Sequence, residues 1–196
     1  MLKDLVNQLL GSRIVISSAP GNGASSFALF MANTILDTDS LVIYYNPTAD
    51  IDRGFVEAYY PRVFEQAIWL VSPLDAFLEY INSIEFNFDC LIIDPGDTTM
   101  VNPEIVPTIG KLKRTKSTFI CTSQLRMDPK KDWAPYSTIE KLNAFDNSIW
   151  IRNVTGIHPV FNLKYIDVHK EIRSGSNFVM RDIAYYTNEG NIVEVR

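Results

Sequence analysis

VISSAPGNGASSFALFMANTI, residues 15–35, passes from an apolar run through a turn of small residues into a segment with Phe27, Phe30, Met31 and Ile35 at helical spacing. Strand, small-residue turn, helix is the order of a phosphate-binding loop, so the fold depends on how that turn is read. A working loop of the form G-x-x-x-x-G-K-[ST] wraps phosphates in backbone N–H groups, sets its lysine on the outer phosphates and holds Mg²⁺ with its hydroxyl. The eight positions here are Ser18, Ala19, Pro20, Gly21, Asn22, Gly23, Ala24 and Ser25. The second glycine and the hydroxyl are kept; the first glycine and the lysine are replaced. A charge-assisted contact of the lysine's kind contributes about 1.5–3 kcal/mol, or about ten- to a hundredfold in affinity. The loop therefore allows weak binding of ATP and Mg²⁺ and argues against efficient phosphoryl transfer. Close packing of a strand and a helix across a tight turn, with no nucleotide at all, accounts for the same small residues.

Outward from the loop the pattern repeats. SLVIYYN (40–46), AIWLVS (67–72), FDCLIIDP (88–95) and STFICTSQL (117–125) are short continuous apolar runs, as strands buried on both faces are. Between them, IDRGFVEAYYPRVF reads as helical up to Pro61, PLDAFLEYINSIE as a helix with proline in its first turn, and NPEIVPTIGKLKRT as a helix with a basic end. The alternation predicts an α/β fold with a mainly parallel central sheet, strands falling around 14–17, 41–45, 68–71, 90–94 and 118–122. The last third changes period: NSIWIRNV, FNLKYIDVHKEIR, FVMRDIAYY and NIVEVR read as antiparallel strands added to one edge. With 196 residues, 46% of them hydrophobic, and a short N-terminal helix over 1–11, the expectation is one domain spanning the chain.

A net charge of −5 argues against a surface that wraps duplex DNA or an anionic membrane. No apolar run reaches the length of a membrane span, and the first residues lack a signal-peptide pattern, so a soluble, cytoplasmic protein is expected. Cys90 and Cys121 sit inside apolar runs and read as buried thiols. His158 and His169 have no cysteine or carboxylate at ligand spacing, so no metal site is read from them.

Asp94, closing the CLIID run, matches a Walker B aspartate that reaches a metal through the loop hydroxyl; it equally suits the cap of the following turn. Taken with the loop at 18–35 and with STFICTSQLRMDPKK, this order resembles the core domain of the RecA/Rad51 recombinases and their KaiC-like and DnaB-like relatives. The stretch SQLR is similar to the recombinase strand that ends just before a DNA-binding loop, and SIWIRN stands where that family has its next strand. The resemblance implies a P-loop core with a degenerate Walker A motif, in which Ser18, Gly21, Gly23, Ala24, Ser25, Asp94 and Gln124 line a vestigial nucleotide site. It also implies that Gln124 senses the outer phosphate and couples it to the loop beyond. In that family a catalytic glutamate follows the second core strand, where this chain has Asn46, and an amide is no general base. With lysine and glutamate both replaced, the expectation is a pseudo-ATPase: no enzyme, no catalytic residue and no obligatory cofactor.

Two functions follow. Arg126, Lys130, Lys131, Trp133 and Tyr136, in the loop over 126–140, mix cations and aromatics as a single-stranded DNA contact does, which implies an accessory protein of DNA recombination, repair or replication. The same residues also suit a solvated loop packed down by its aromatics. Lys111, Lys113, Arg114 and Lys116 form a second basic cluster, which a helix C-terminus favours on its own. The alternative function is a scaffold or inhibitor that binds a protein partner, as a homo- or hetero-oligomer, without DNA or nucleotide.

Overall fold

The computed structural model describes residues 6–7, 9–18, 21, 23–36, 39–84, 87–95, 105, 107, 117–124, 126–127, 135–136, 145–153, 164–172, 176–186 and 192–194. The apolar runs become the strands β1 (Arg13–Ser18), β2 (Val42–Tyr45), β3 (Ala67–Leu70), β4 (Cys90–Ile93) and β5 (Thr118–Gln124). A short ribbon follows, β6 (Arg126–Met127) with β7 (Pro135–Tyr136), and then β8 (Asn147–Asn153), β9 (Lys164–Ile172), β10 (Ser176–Tyr186) and β11 (Ile192–Glu194). The helices are α1 (Ala24–Ile35), α2 (Arg53–Tyr59), α3 (Pro61–Gln66) and α4 (Leu74–Ser83). The main sheet has the order β11-β10-β9-β8-β1-β5-β4-β2-β3.

All five strands expected from the apolar runs form and run parallel. Two details differ from the sequence reading. The segment after Pro61 is helical too, because a proline at the first position of a helix loses no hydrogen bond; Tyr60, with φ −134 and ψ 57, separates α2 from α3. In addition, β8 pairs parallel to β1, Ile14 beside Asn147 and Ser18 beside Ile151, and within the main sheet the antiparallel pairings are β8–β9, β9–β10 and β10–β11. Parallel pairing needs a long crossover, and the chain between Gln124 and Asn147 is long enough to carry β8 to the far side of β1. Arg13 pins this junction, its Nε and guanidinium NH2 donating to the two oxygens of Asp146 at 3.0 and 2.7 Å.

Side-chain alternation divides the core into two layers. Ile14, Ile16, Val42, Tyr44, Cys90, Ile92 and Ile120 face one way, against Phe27 and Met31 of α1, Val56 of α2 and Val63 of α3. Val15, Ile43, Tyr45, Leu91, Ile93, Phe119 and Cys121 face the other way, against Phe77, Leu78 and Ile81 of α4. Each such fully buried apolar side chain contributes about 1.5–3 kcal/mol, which is why strands without a polar face stay in place. Cys90 and Cys121 are free, buried and on opposite faces of the sheet. Of the N-terminal helix expected over 1–11, Val6 and Asn7 are described as helical; of the helix expected over 102–115, Ile105 and Pro107 are, and Lys111, Lys113, Arg114 and Lys116 lie outside the described residues. Among the described residues no helix is long and apolar enough to cross a membrane.

Candidate functional site

The register of the parallel strands determines what meets at their carboxyl ends. Ser18 is paired with Gln124, Ile93 with Cys121 and Tyr45 with Ile93, so Ser18, Gln124, Thr122, Asp94 and Asn46 end on one edge of the sheet. Counting by twos from Ile16, Tyr44, Ile92 and Ile120 puts all five on the α1 face. The turn from β1 reaches that face through Gly21 (φ 74) and Gly23 (φ 91), both left-handed, a conformation that costs a side-chain-bearing residue strain. Gly23 is the N-cap of α1 and no side chain caps the helix. The first-turn amides of Ala24, Ser25 and Ser26, which have no acceptor within their own helix, therefore open at the cleft. The helix dipole adds roughly half a positive elementary charge there.

The cleft has a volume of about 380 Å³ and is lined by Ser18, Gly21, Gly23, Ala24, Ser25, Ser26, Asp50, Asp94, Pro95, Thr122 and Gln124. The seven residues grouped from sequence thus surround one space. At its floor Asp94, 4% exposed, accepts three hydroxyl hydrogen bonds: Ser25 Oγ donates to Oδ1 at 3.0 Å, Thr122 Oγ1 donates to Oδ1, and the Tyr44 O–H donates to Oδ2. Its backbone N–H is held by Tyr45 O at 2.9 Å. The Tyr44 hydroxyl is pushed well above its ordinary range, first by burial and then by the neighbouring charge and hydrogen bond of Asp94, with Asp50 adding to it. Tyr60 is pushed up to about 12 by burial, partly offset by its hydrogen bond with Ser26.

Asn46 does not stand empty at the end of β2. Only 3% exposed, it donates from Nδ2 to Asp50 Oδ1 at 2.9 Å and accepts the Asp50 N–H on Oδ1 at 3.2 Å. The turn between them carries Ala49 at φ 53, a left-handed alanine, and its outcome is a carboxylate set into the cleft wall. Sequence reasoning missed Asp50, Thr122 and Tyr44. The last two were within reach, because Thr122 lies two residues before Gln124 and Tyr44 two before Asn46, on the same faces; nothing local marks Asp50. Of the residues read as a DNA contact, Arg126 and Tyr136 are backbone partners in the β6–β7 ribbon, two residues beyond Gln124, while Lys130, Lys131 and Trp133 lie outside the described residues.

Among the described residues no three His, Cys, Asp or Glu side chains gather as a metal site. The donor set at the floor is hydroxyl and carboxylate oxygen, which suits Mg²⁺, an ion that keeps waters and takes phosphate oxygens as further ligands. Ser25 would hold it directly, with Asp94 behind.

This parallel sheet with helices on both faces and a glycine-rich turn opening α1 defines a RecA-like α/β P-loop core. The chain superposes on the solved structure of a KaiC-like protein from the hyperthermophilic archaeon Pyrococcus horikoshii with a TM-score of 0.67 and 15% identity, over 95% of this chain and 90% of that one. No family model and no curated protein matches the sequence. The expectation that the chain is no enzyme is corrected by this likeness, since the fold shared with the KaiC-like protein is an ATPase fold. The physical ground lies at the end of β2: Asn46 does not leave the cleft wall without a carboxylate, because it holds Asp50 there.

Proposed function

We propose that the chain is a RecA-like nucleoside-triphosphate-binding and -hydrolysing module that serves DNA recombination, repair or replication. The reading rests on one observation above all: Ser25, in the first turn of a helix with no side-chain cap, donates to the buried Asp94 at 3.0 Å on the carboxyl edge of the sheet. The first-turn amides take the phosphates, and Ser25 orients toward the divalent cation that neutralises them. Asp50, opposite, orients a water and accepts its proton; assistance of that kind is worth about 10²- to 10⁴-fold in rate. Ala24 contributes no charge, so affinity is modest. Gln124 borders the cleft and leads within two residues into the ribbon of Arg126, so the state of the phosphates is felt where single-stranded DNA would lie.

The test is phosphate release from Mg-ATP, with and without an unstructured oligonucleotide, by wild type and Asp50→Asn. Turnover by the wild type that falls about a hundredfold or more in the variant supports the reading. Background rates from the wild type at saturating Mg-ATP with DNA present refute hydrolysis.

A further inference from the structure

Tyr44 touches the cleft only through another residue. Its side chain is fully buried and is not part of the cleft lining, whereas Ser25 and Thr122, the other two hydroxyls on Asp94, both line it. Those two donate to one oxygen, Oδ1. A carboxylate gripped by one oxygen can still turn, because the last torsion of an aspartate is broad. Tyr44 takes the other oxygen, Oδ2, and so fixes the plane. The grip is stiff: the register of β2 sets Tyr44 beside Ile92, two residues before Asp94, and its ring lies against Trp69 of β3, centroids 4.8 Å apart. Donors from α1, β2 and β5 thus meet on one carboxylate at the end of β4.

The aim of Ser25 depends on that plane. Its hydroxyl presents lone pairs to a cation while its proton points at Asp94 Oδ1. With its donor removed, Oδ2 is a buried charged oxygen without a partner, and the carboxylate turns to recover one from Ser25 or Thr122. Building on the nucleotide reading above, we infer that Tyr44 is a positioning residue: its buried hydroxyl locks Asp94 so that Ser25 is aimed at the divalent cation, and Tyr44 touches neither cation nor nucleotide. Mg²⁺ demands near-ideal octahedral geometry and Ca²⁺ accepts looser, longer contacts, so the lock matters for the smaller ion.

Equilibrium dialysis with labelled ATP in saturating Mg²⁺ or Ca²⁺, on wild type, Tyr44→Phe, Trp69→Leu and Ile149→Val, tests the inference, with melting curves to confirm folding. Tyr44→Phe is expected to bind Mg-ATP about tenfold more weakly than wild type and Ca-ATP within about threefold of it. Ile149→Val trims the same core layer away from Asp94 and is expected to bind both as wild type does. Wild-type affinity for Mg-ATP in Tyr44→Phe, an equal loss with both ions, or a matching loss in Ile149→Val overturns the inference and leaves the nucleotide reading standing. Failure of the wild type to bind Mg-ATP overturns both. If Tyr44→Phe fails to fold, Trp69→Leu decides, since it keeps the hydroxyl but removes the ring that braces it from a partly buried place on the last strand of the sheet. Its Mg-ATP affinity is expected to fall about threefold, and wild-type affinity there overturns the inference.

Discussion

Tyr44→Phe removes one oxygen atom from the floor of the cleft and leaves the rest of the packing alone. The ring is fully buried and keeps its tilted contact with Trp69, centroids 4.8 Å apart, so no cavity larger than a hydroxyl opens. What disappears is the donor on Asp94 Oδ2, while Ser25 and Thr122 still serve Oδ1. A hydrogen bond to a charged group contributes about 1.5–3 kcal/mol. The variant should therefore be about 2 kcal/mol less stable at pH 7, a fall of roughly 4–8 °C in Tm for a chain of this size. The difference should narrow in alkali. The folded-state pKa of Tyr44 lies well above its ordinary 10.0, so the stability tied to it is fully present below pH 10 and declines as pH rises toward the folded value. At pH 11, above the unfolded value, that decline is under way in the wild type and is missing from the variant, so the gap between the two is smaller than at pH 7. Urea unfolding of both proteins at pH 7 and pH 11 measures this. A gap that stays constant or widens, or a variant as stable as wild type at pH 7, refutes the placement of the Tyr44 hydroxyl on Asp94.

Two further outcomes follow from other parts of the molecule. Arg13→Ala removes the two side-chain donors from Asp146, just before β8, while the backbone N–H of residue 13 still donates to Asp146 Oδ2 at 3.0 Å; with Asp146 36% exposed in its side chain the variant should lose about 1–2 kcal/mol, read from the urea midpoint, and a loss under about 0.5 kcal/mol would mean that the β1–β8 junction does not depend on the side-chain pair. Replacing Arg126, Lys130 and Lys131 by alanine should weaken binding to a labelled single-stranded oligonucleotide and flatten the dependence of log K on log salt by ~0.7 for each phosphate that is no longer neutralised; an unchanged slope moves any DNA contact elsewhere.

Much of this fold is legible in local pattern. Continuous apolar runs such as VIYY and CLII have no polar face to show to water, so they predict strands covered on both sides. The small residues around Gly21 and Gly23 predict a tight turn into a helix, because left-handed backbone suits glycine. These signals are local because propensity and side-chain alternation act over a few residues. What the tertiary structure alone decided is which strand ends meet. β8 lies parallel to β1 through a crossover whose direction no local pattern encodes. The order β1-β5-β4-β2 sets Thr122 and Tyr44 on Asp94, and a left-handed Ala49 turns Asp50 into the cleft through two hydrogen bonds with Asn46. From sequence, Asn46 marked the loss of a carboxylate; in space it positions one, because a side chain four residues away along a turn returns to the same place.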